Sequence, residues 1–179
     1  MKYISFLLFL IICISCGVTS AVHDFDEHQD FSVYKTYNFY PEMVSGLSEL
    51  NHNRLLEVMD TIMITKGFEK SETPDIYINF KSTIIKEPSQ NRIGVGVGSG
   101  GGGIAIGIGG DIAIGGPATF LELTTDLIDV TKNELVWQSI TERRFNPNGA
   151  PNSQTIIFQK IIKKSLAKYP PQSKKSNRN

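Results

Sequence analysis

From residue 31 to residue 40, Phe31, Val33, Lys35, Tyr37 and Phe39 alternate with Ser32, Thr36 and Asn38, and Pro41 follows. A period of two in a run rich in aromatic and β-branched residues predicts a strand over 31–40. The period then changes. Leu55, Met59, Ile62 and Met63 fall on one helical stripe within residues 51–66. Ser48 or Asn51 can cap its start, and Gly67 followed by Phe68 suits a glycine C-cap with a hydrophobic contact. Residues 75–85 return to a period of two, with Ile76, Ile78, Phe80 and Ser82 on one face and Tyr77, Asn79 and Lys81 on the other.

Two further strands are expected over 119–127 and 135–145. Leu121, Leu123, Thr125 and Leu127 face one way in the first, and Phe120, Glu122, Thr124 and Asp126 the other. Residues 129–134 supply the turn of an antiparallel hairpin. In the second arm the pattern puts Leu135 on the face of Trp137, with Val136 and Ile140 opposite. A last helix starts at a cap on Asn152 or Ser153 and runs to Lys168. Ile157, Phe158, Ile161, Ile162, Ser165 and Leu166 form its buried stripe, with Lys160, Lys163, Lys164 and Lys168 outside. Tyr169-Pro170-Pro171 ends it, and the polar, basic residues 172–179 read as a disordered tail. The expected fold is α+β: an antiparallel sheet of about five or more strands with two helices packed on one face.

Between the strands at 75–85 and 119–127 lies a glycine-rich insert, residues 93–116. Ile93, Val95 and Val97, then Ile104, Ile106 and Ile108, alternate with Gly or Ala. That places the branched residues on one face of a β-hairpin and glycines on the other. A glycine face lets another backbone or a flat apolar surface come close. Ile93, Val95, Val97, Ile104, Ile106 and Ile108 are therefore a candidate interaction surface, with Trp137, which also reads as a core or rim anchor. Gly96-x-Gly98-x-x-Gly101 has the spacing of a dinucleotide fingerprint, but no helix follows it and no acidic residue is placed for a ribose, so the motif carries no cofactor.

The N-terminus is the most specific signal. Lys2 precedes an apolar run from Ile4 to Ile14 broken only by Ser5, which is the layout of a secretory signal and too short for a membrane span. It ends in Ser15-Cys16-Gly17, a small residue directly before a cysteine, as in bacterial lipoprotein signals. The expected organisation is a signal peptide over 1–15, a lipidated tether over 16–29 beginning at Cys16, and one domain over 30–171. Acyl chains at about 0.8 kcal/mol per buried methylene would hold Cys16 in the membrane. The expected location is the bacterial cell envelope, at the outer membrane facing the periplasm, since no Asp follows Gly17.

Charge and composition remove other classes. Eighteen Lys and Arg against eighteen Asp and Glu give no basic excess, so no nucleic-acid partner is expected. The two cysteines, Cys13 and Cys16, make neither a disulfide scaffold nor a four-cysteine zinc site. Glu122, Asp126 and Glu142, with Arg143 and Arg144 nearby, read as cross-strand ion pairing rather than as acid–base catalysts. His52 reads as a solvated histidine. His23 and His28 among Asp24, Asp26, Glu27 and Asp30 lie on the expected tether, which cannot fix a metal's geometry. No catalytic residue, metal or cofactor is assigned. The sequence thus points to a non-catalytic envelope lipoprotein that binds a partner protein or supports envelope integrity. The alternative is a carrier of an apolar ligand or lipid in a groove between sheet and helices.

Several phrases carry a resemblance: Asp24-Phe25-Asp26, Asp30-Phe31-Ser32-x-Tyr34-Lys35-Thr36-Tyr37, Lys66-Gly67-Phe68, Pro74-Asp75-Ile76-Tyr77-Ile78, Asp126-Leu127-Ile128-Asp129, Leu135-Val136-Trp137 and Tyr169-Pro170-Pro171. Over residues 23–171 the chain resembles the bacterial envelope lipoproteins grouped as domain of unknown function 4136. The resemblance implies an α+β lipoprotein domain with no established activity, and it supplies no catalytic residue.

Overall fold

The structure, a computed structural model, describes residues 19–87, 92–94, 111–113 and 118–171. Its elements in chain order are β1 (Ser20–Phe25), a 3₁₀ turn (Phe31–Val33), β2 (Thr36–Phe39), α1 (Glu49–Thr65), β3 (Glu69–Lys70), β4 (Ile76–Glu87), β5 (Arg92–Gly94), β6 (Asp111–Ala113), β7 (Ala118–Asp129), β8 (Glu134–Arg144) and α2 (Pro151–Ser165). Six strands form one sheet in the order β1-β8-β7-β4-β2-β3, while β5 and β6 pair separately. The α+β class expected from the sequence is correct. The sheet is mixed, however, because β2 runs parallel to both β3 and β4. Helix α1 carries the chain back to the end where β2 began, so the following strands repeat its direction.

The two periodicities meet in one core. Ile76, Ile78 and Phe80 of β4, and Leu121, Leu123 and Leu127 of β7, are fully buried against Leu55, Met59 and Met63 of α1 and Phe158, Ile161 and Ile162 of α2. Each such side chain contributes roughly 1.5–3 kcal/mol on leaving water. At the end of α1 the Phe68 amide reaches the Met63 carbonyl at 3.0 Å and Gly67 takes φ +86°, the expected glycine cap. Ser48 is the N-cap of α1 but makes no side-chain cap bond. Helix α2 is capped at Ala150 with Pro151 at its first position, ahead of the expected Asn152 or Ser153, and it ends at Ser165.

Three expectations change. The strand over 31–40 is split, because the Asp30 carboxylate accepts the Ser32 amide at 2.9 Å and winds residues 31–33 into a turn; only Thr36–Phe39 is a strand. The segment 16–29, expected as a tether, contains edge strand β1, which pairs with β8 from Ser20–Glu142 to Phe25–Trp137. In β8 the register slips between Leu127 and Ile128, so Val136 is an extra residue. The bulge turns both Val136 and Trp137 inward and leaves Leu135 exposed, so Leu135 does not share Trp137's surroundings.

Strands β4 and β7 pair over twelve residues each, from Ile76–Asp129 to Glu87–Ala118. The β5–β6 pairing keeps that register: Arg92–Ala113 lies five residues further along each strand than Glu87–Ala118. The core covers only the first part of this ribbon. Ile84, on the helix-facing side, is already 40% exposed.

Candidate functional site

The most heavily built part of the molecule is the end of the sheet where β1, β7 and α1 finish and β2, β4 and β8 begin. Trp137 is its centre. Its ring lies 5.6 Å from Phe25, stacked at 19°, 5.3 Å from Tyr169 edge-on, 6.5 Å from Phe31 and 5.5 Å from the His23 ring. Phe31 also meets Tyr34 and Tyr169, and Phe68 meets Tyr169. Strand pairing places Phe25 directly beside Trp137, and the Asp30-capped turn aims Phe31 at the same point. Such edge and offset contacts add about 0.5–1.5 kcal/mol each to area burial. Trp137 Nε1 and the Tyr169 hydroxyl are buried without a hydrogen-bond partner among the described residues, and burial pushes the Tyr169 hydroxyl's pKa up.

Around this nest, carboxylates tie the loops. The Tyr34 hydroxyl donates to Asp129 at 2.7 Å across 95 residues of sequence, and Asp129 also accepts the Lys132 amide at 2.8 Å. Burial alone would raise the Asp129 pKa, but the Tyr34 hydroxyl and the Lys132 and Thr131 amides outweigh it and hold the carboxyl below its usual range. The same bond and burial push the Tyr34 hydroxyl well above its ordinary value. Asp75 accepts the amides of Lys35 and Thr36, both at 2.8 Å, and these bonds, the Lys35 amide foremost, lower its pKa. The Tyr37 hydroxyl donates to Asp60 at 2.8 Å, and Lys66 Nζ donates to the Tyr169 carbonyl at 2.9 Å.

A concavity of about 580 Å³ opens beside the nest, lined by residues 25–32 and by Pro170 and Pro171. Its apolar members are Phe25, Phe31 and the two prolines, and its rim carries Asp26, Glu27 and Asp30. It lies at the end of the sheet, not in a groove between sheet and helices. Among the described residues no group of three or more His, Cys, Asp or Glu is placed to hold a metal ion. His23 Nε2 lies 3.2 Å from the Lys164 carbonyl, and the Asp26 carboxylate accepts the His28 amide.

The residues singled out by sequence fall apart. Trp137 is fully buried, so it is a core residue and not part of an exposed interaction surface. Ile93 lies in β5, paired with Ile112. Val95, Val97, Ile104, Ile106, Ile108 and Cys16 lie outside the described residues. Glu122 faces Glu142 across the strands, Asp126 takes the Gln138 amide at 2.9 Å, and Arg143 bonds the Thr19 hydroxyl. His52 is not simply solvated, since its Nδ1 lies 2.8 Å from the Ser45 hydroxyl. No carboxylate is bonded to His52 among the described residues. Ser45 also accepts the Leu47 amide, and its carbonyl takes the Ser82 amide and hydroxyl. This serine closes the loop before α1 and orients no nucleophile.

The geometry defines an α+β domain whose most constructed region is a structural clasp with a shallow concavity beside it. The chain belongs to the family described as Domain of unknown function (DUF4136), whose model matches residues 21–171. Many of the residues that carried the resemblance, Asp30 to Tyr37, Asp75, Asp129, Trp137 and Tyr169-Pro170-Pro171 among them, meet in this clasp. No curated protein matches the chain. Among solved structures, a PDZ domain protein from Parabacteroides distasonis is similar with a TM-score of 0.50 and 12% identity, over 92% of this chain. The chain corresponds to 39% of that protein's length. A PelC dodecamer from Paraburkholderia phytofirmans matches with a TM-score of 0.40 and 11% identity, over 83% of this chain and 97% of that one. The first of these is a likeness of fold alone.

Proposed function

We propose that the chain is a non-catalytic lipoprotein domain of the bacterial cell envelope, anchored through Cys16, most simply at the outer membrane facing the periplasm, and that it binds an envelope protein partner. One observation carries the reading. The chain enters the sheet at Ser20, four residues after the cysteine of the Ser15-Cys16-Gly17 sequence, so the folded domain begins where an acylated terminus would leave the bilayer. The clasp supports it, because its polar groups are engaged in tying loops and not in presenting a nucleophile, base or metal set. The test is acyl labelling. Wild-type protein should carry lipid mass and sediment with membranes, and Cys16→Ala should remain an uncleaved precursor or be released. Mature wild-type protein that is wholly soluble and without acyl mass would end this reading. Crosslinking in intact envelopes should then recover the partner.

A second reading has its own observation, the concavity beside Phe25, Phe31, Pro170 and Pro171. It has the volume of a small-ligand site, since such sites span roughly 300–1,000 Å³. As a carrier, the protein extracted from membranes should show a retained apolar ligand in native mass spectrometry, beyond the acyl chains on Cys16.

A further inference from the structure

The edge strand shortens the leash. With β1 in the sheet, only Gly17 and Val18 separate Cys16 from Thr19, three residue steps that span at most about 11 Å. Thr19 is held in turn by Arg143, whose guanidinium donates to its hydroxyl. Ser20, Glu142, Glu122 and Thr83 form one row across β1, β8, β7 and β4. Thr19 therefore sits at the end of the sheet from which the β4–β7 ribbon projects through Ile85–Phe120 and Lys86–Thr119 to Glu87–Ala118. That end exposes Lys86 and Arg144, and its carboxylates Glu87, Glu122 and Glu142 are partly covered. The opposite end exposes Asp26, Glu27, Asp30 and Glu134 together with Lys35, Lys66, Lys132 and Lys168, so the two ends do not differ in the sign of their charge.

Resting on the anchoring proposed above, we infer that the ribbon end of the sheet, marked by Thr19, Lys86, Phe120, Arg143 and Arg144, is held against the surface of the anchoring bilayer, with the clasp and its concavity pointing away. The length of chain between the anchor and the sheet argues for this occupant. The leash is comparable to the depth of a headgroup layer, about 5–8 Å from the difference between full and hydrocarbon thickness.

The experiment uses the full acylated protein, in which an introduced cysteine is the sole free thiol because Cys13 is removed with the signal and Cys16 is acylated. Lys86→Cys, Arg144→Cys and Thr131→Cys, all at exposed positions, are labelled with a fluorophore. Each is reconstituted in phosphatidylglycerol–phosphatidylethanolamine vesicles containing a headgroup-nitroxide lipid. Labels at Lys86→Cys and Arg144→Cys should lose most of their emission, and the label at Thr131→Cys should keep it. Inserting about 12 Gly and Ser residues between Val18 and Thr19 should abolish that difference while acylation persists, because a flexible linker of that length frees the domain to turn. Equal quenching at the three positions in acylated, vesicle-bound protein overturns the orientation and leaves the anchor standing. Unchanged quenching after the insertion overturns the leash as its cause. Protein that carries no acyl mass and does not float with vesicles overturns the anchoring and this inference together.

Discussion

The two ends of the sheet are built on opposite principles. At the clasp, Trp137, Phe25, Phe31 and Tyr169 pack ring against ring, and Asp75 and Asp129 each gather hydrogen bonds from other segments. At the ribbon end, beyond Ile84 and Leu121, β4 pairs with β7 alone among the described residues, and β8 follows β7 no further than Phe120–Arg144 and the Phe145 amide on the Thr119 carbonyl. The family's most recognisable residues cluster at the first end. The difference teaches that a motif shared across a chain can mark where the fold is closed and need not mark chemistry: Asp75 and Asp129 in the clasp each have loop amides or a tyrosine to hold.

Breaking the clasp should have the largest effect. Trp137→Ala should cost about 3–5 kcal/mol, as large buried aromatics do on truncation, read from the urea midpoint. An unchanged midpoint would remove the distinction between the two ends.

The next effect separates polar closure from packing. Asp129→Ala strands the buried Tyr34 hydroxyl and should cost about 1–3 kcal/mol. It should also reshape the acid limb of the stability profile. Asp75 and Asp129 have folded pKa values depressed below their unfolded ones, so their contribution is complete above the unfolded carboxylate value, near pH 4. It is lost as pH falls through the folded values. Wild-type stability should therefore drop as pH falls below about 4, and Asp75→Asn should flatten that drop. An acid limb that is the same in both proteins would place the linkage elsewhere.

The smallest effect is expected at the other end. Replacing residues 88–117 with an Asn-Gly turn, which suits the antiparallel β4–β7 pairing, should move stability by no more than about 0.5 kcal/mol. A large loss would mean that the ribbon supports the core, and the contrast between the ends would fail.

These two ends also explain what the sequence could and could not say. The elements with sustained periodicity, β4, β7 and α1, were legible because one face of each is buried where it meets the core. β1 was not: Ser-Ala-Val-His-Asp-Phe lies at a sheet edge, where Val22 is 70% exposed and alternation is weak. The split of 31–40 required seeing Asp30 as a cap instead of a flanking residue. The slip at Val136 left no mark, since Leu135-Val136-Trp137 is apolar throughout. The clasp was harder still. Tyr34 finds Asp129 across 95 residues and Asp75 finds Lys35 across 40, and no local pattern encodes such partners. The sequence marked these residues through the family resemblance, without their roles.

The buried position of Trp137 has an optical consequence. It is the chain's single tryptophan, fully buried, with Phe25 of β1 stacked on it and His23 of the same strand beside it. The ultraviolet emission of the native protein thus arises from one seam, between the edge strand and β8. Its colour reports whether water has reached that seam. Because β1 is also the strand that leads to the N-terminus, a red shift that precedes loss of helical dichroism would mark the edge strand peeling from an otherwise folded domain. No label is needed to see it.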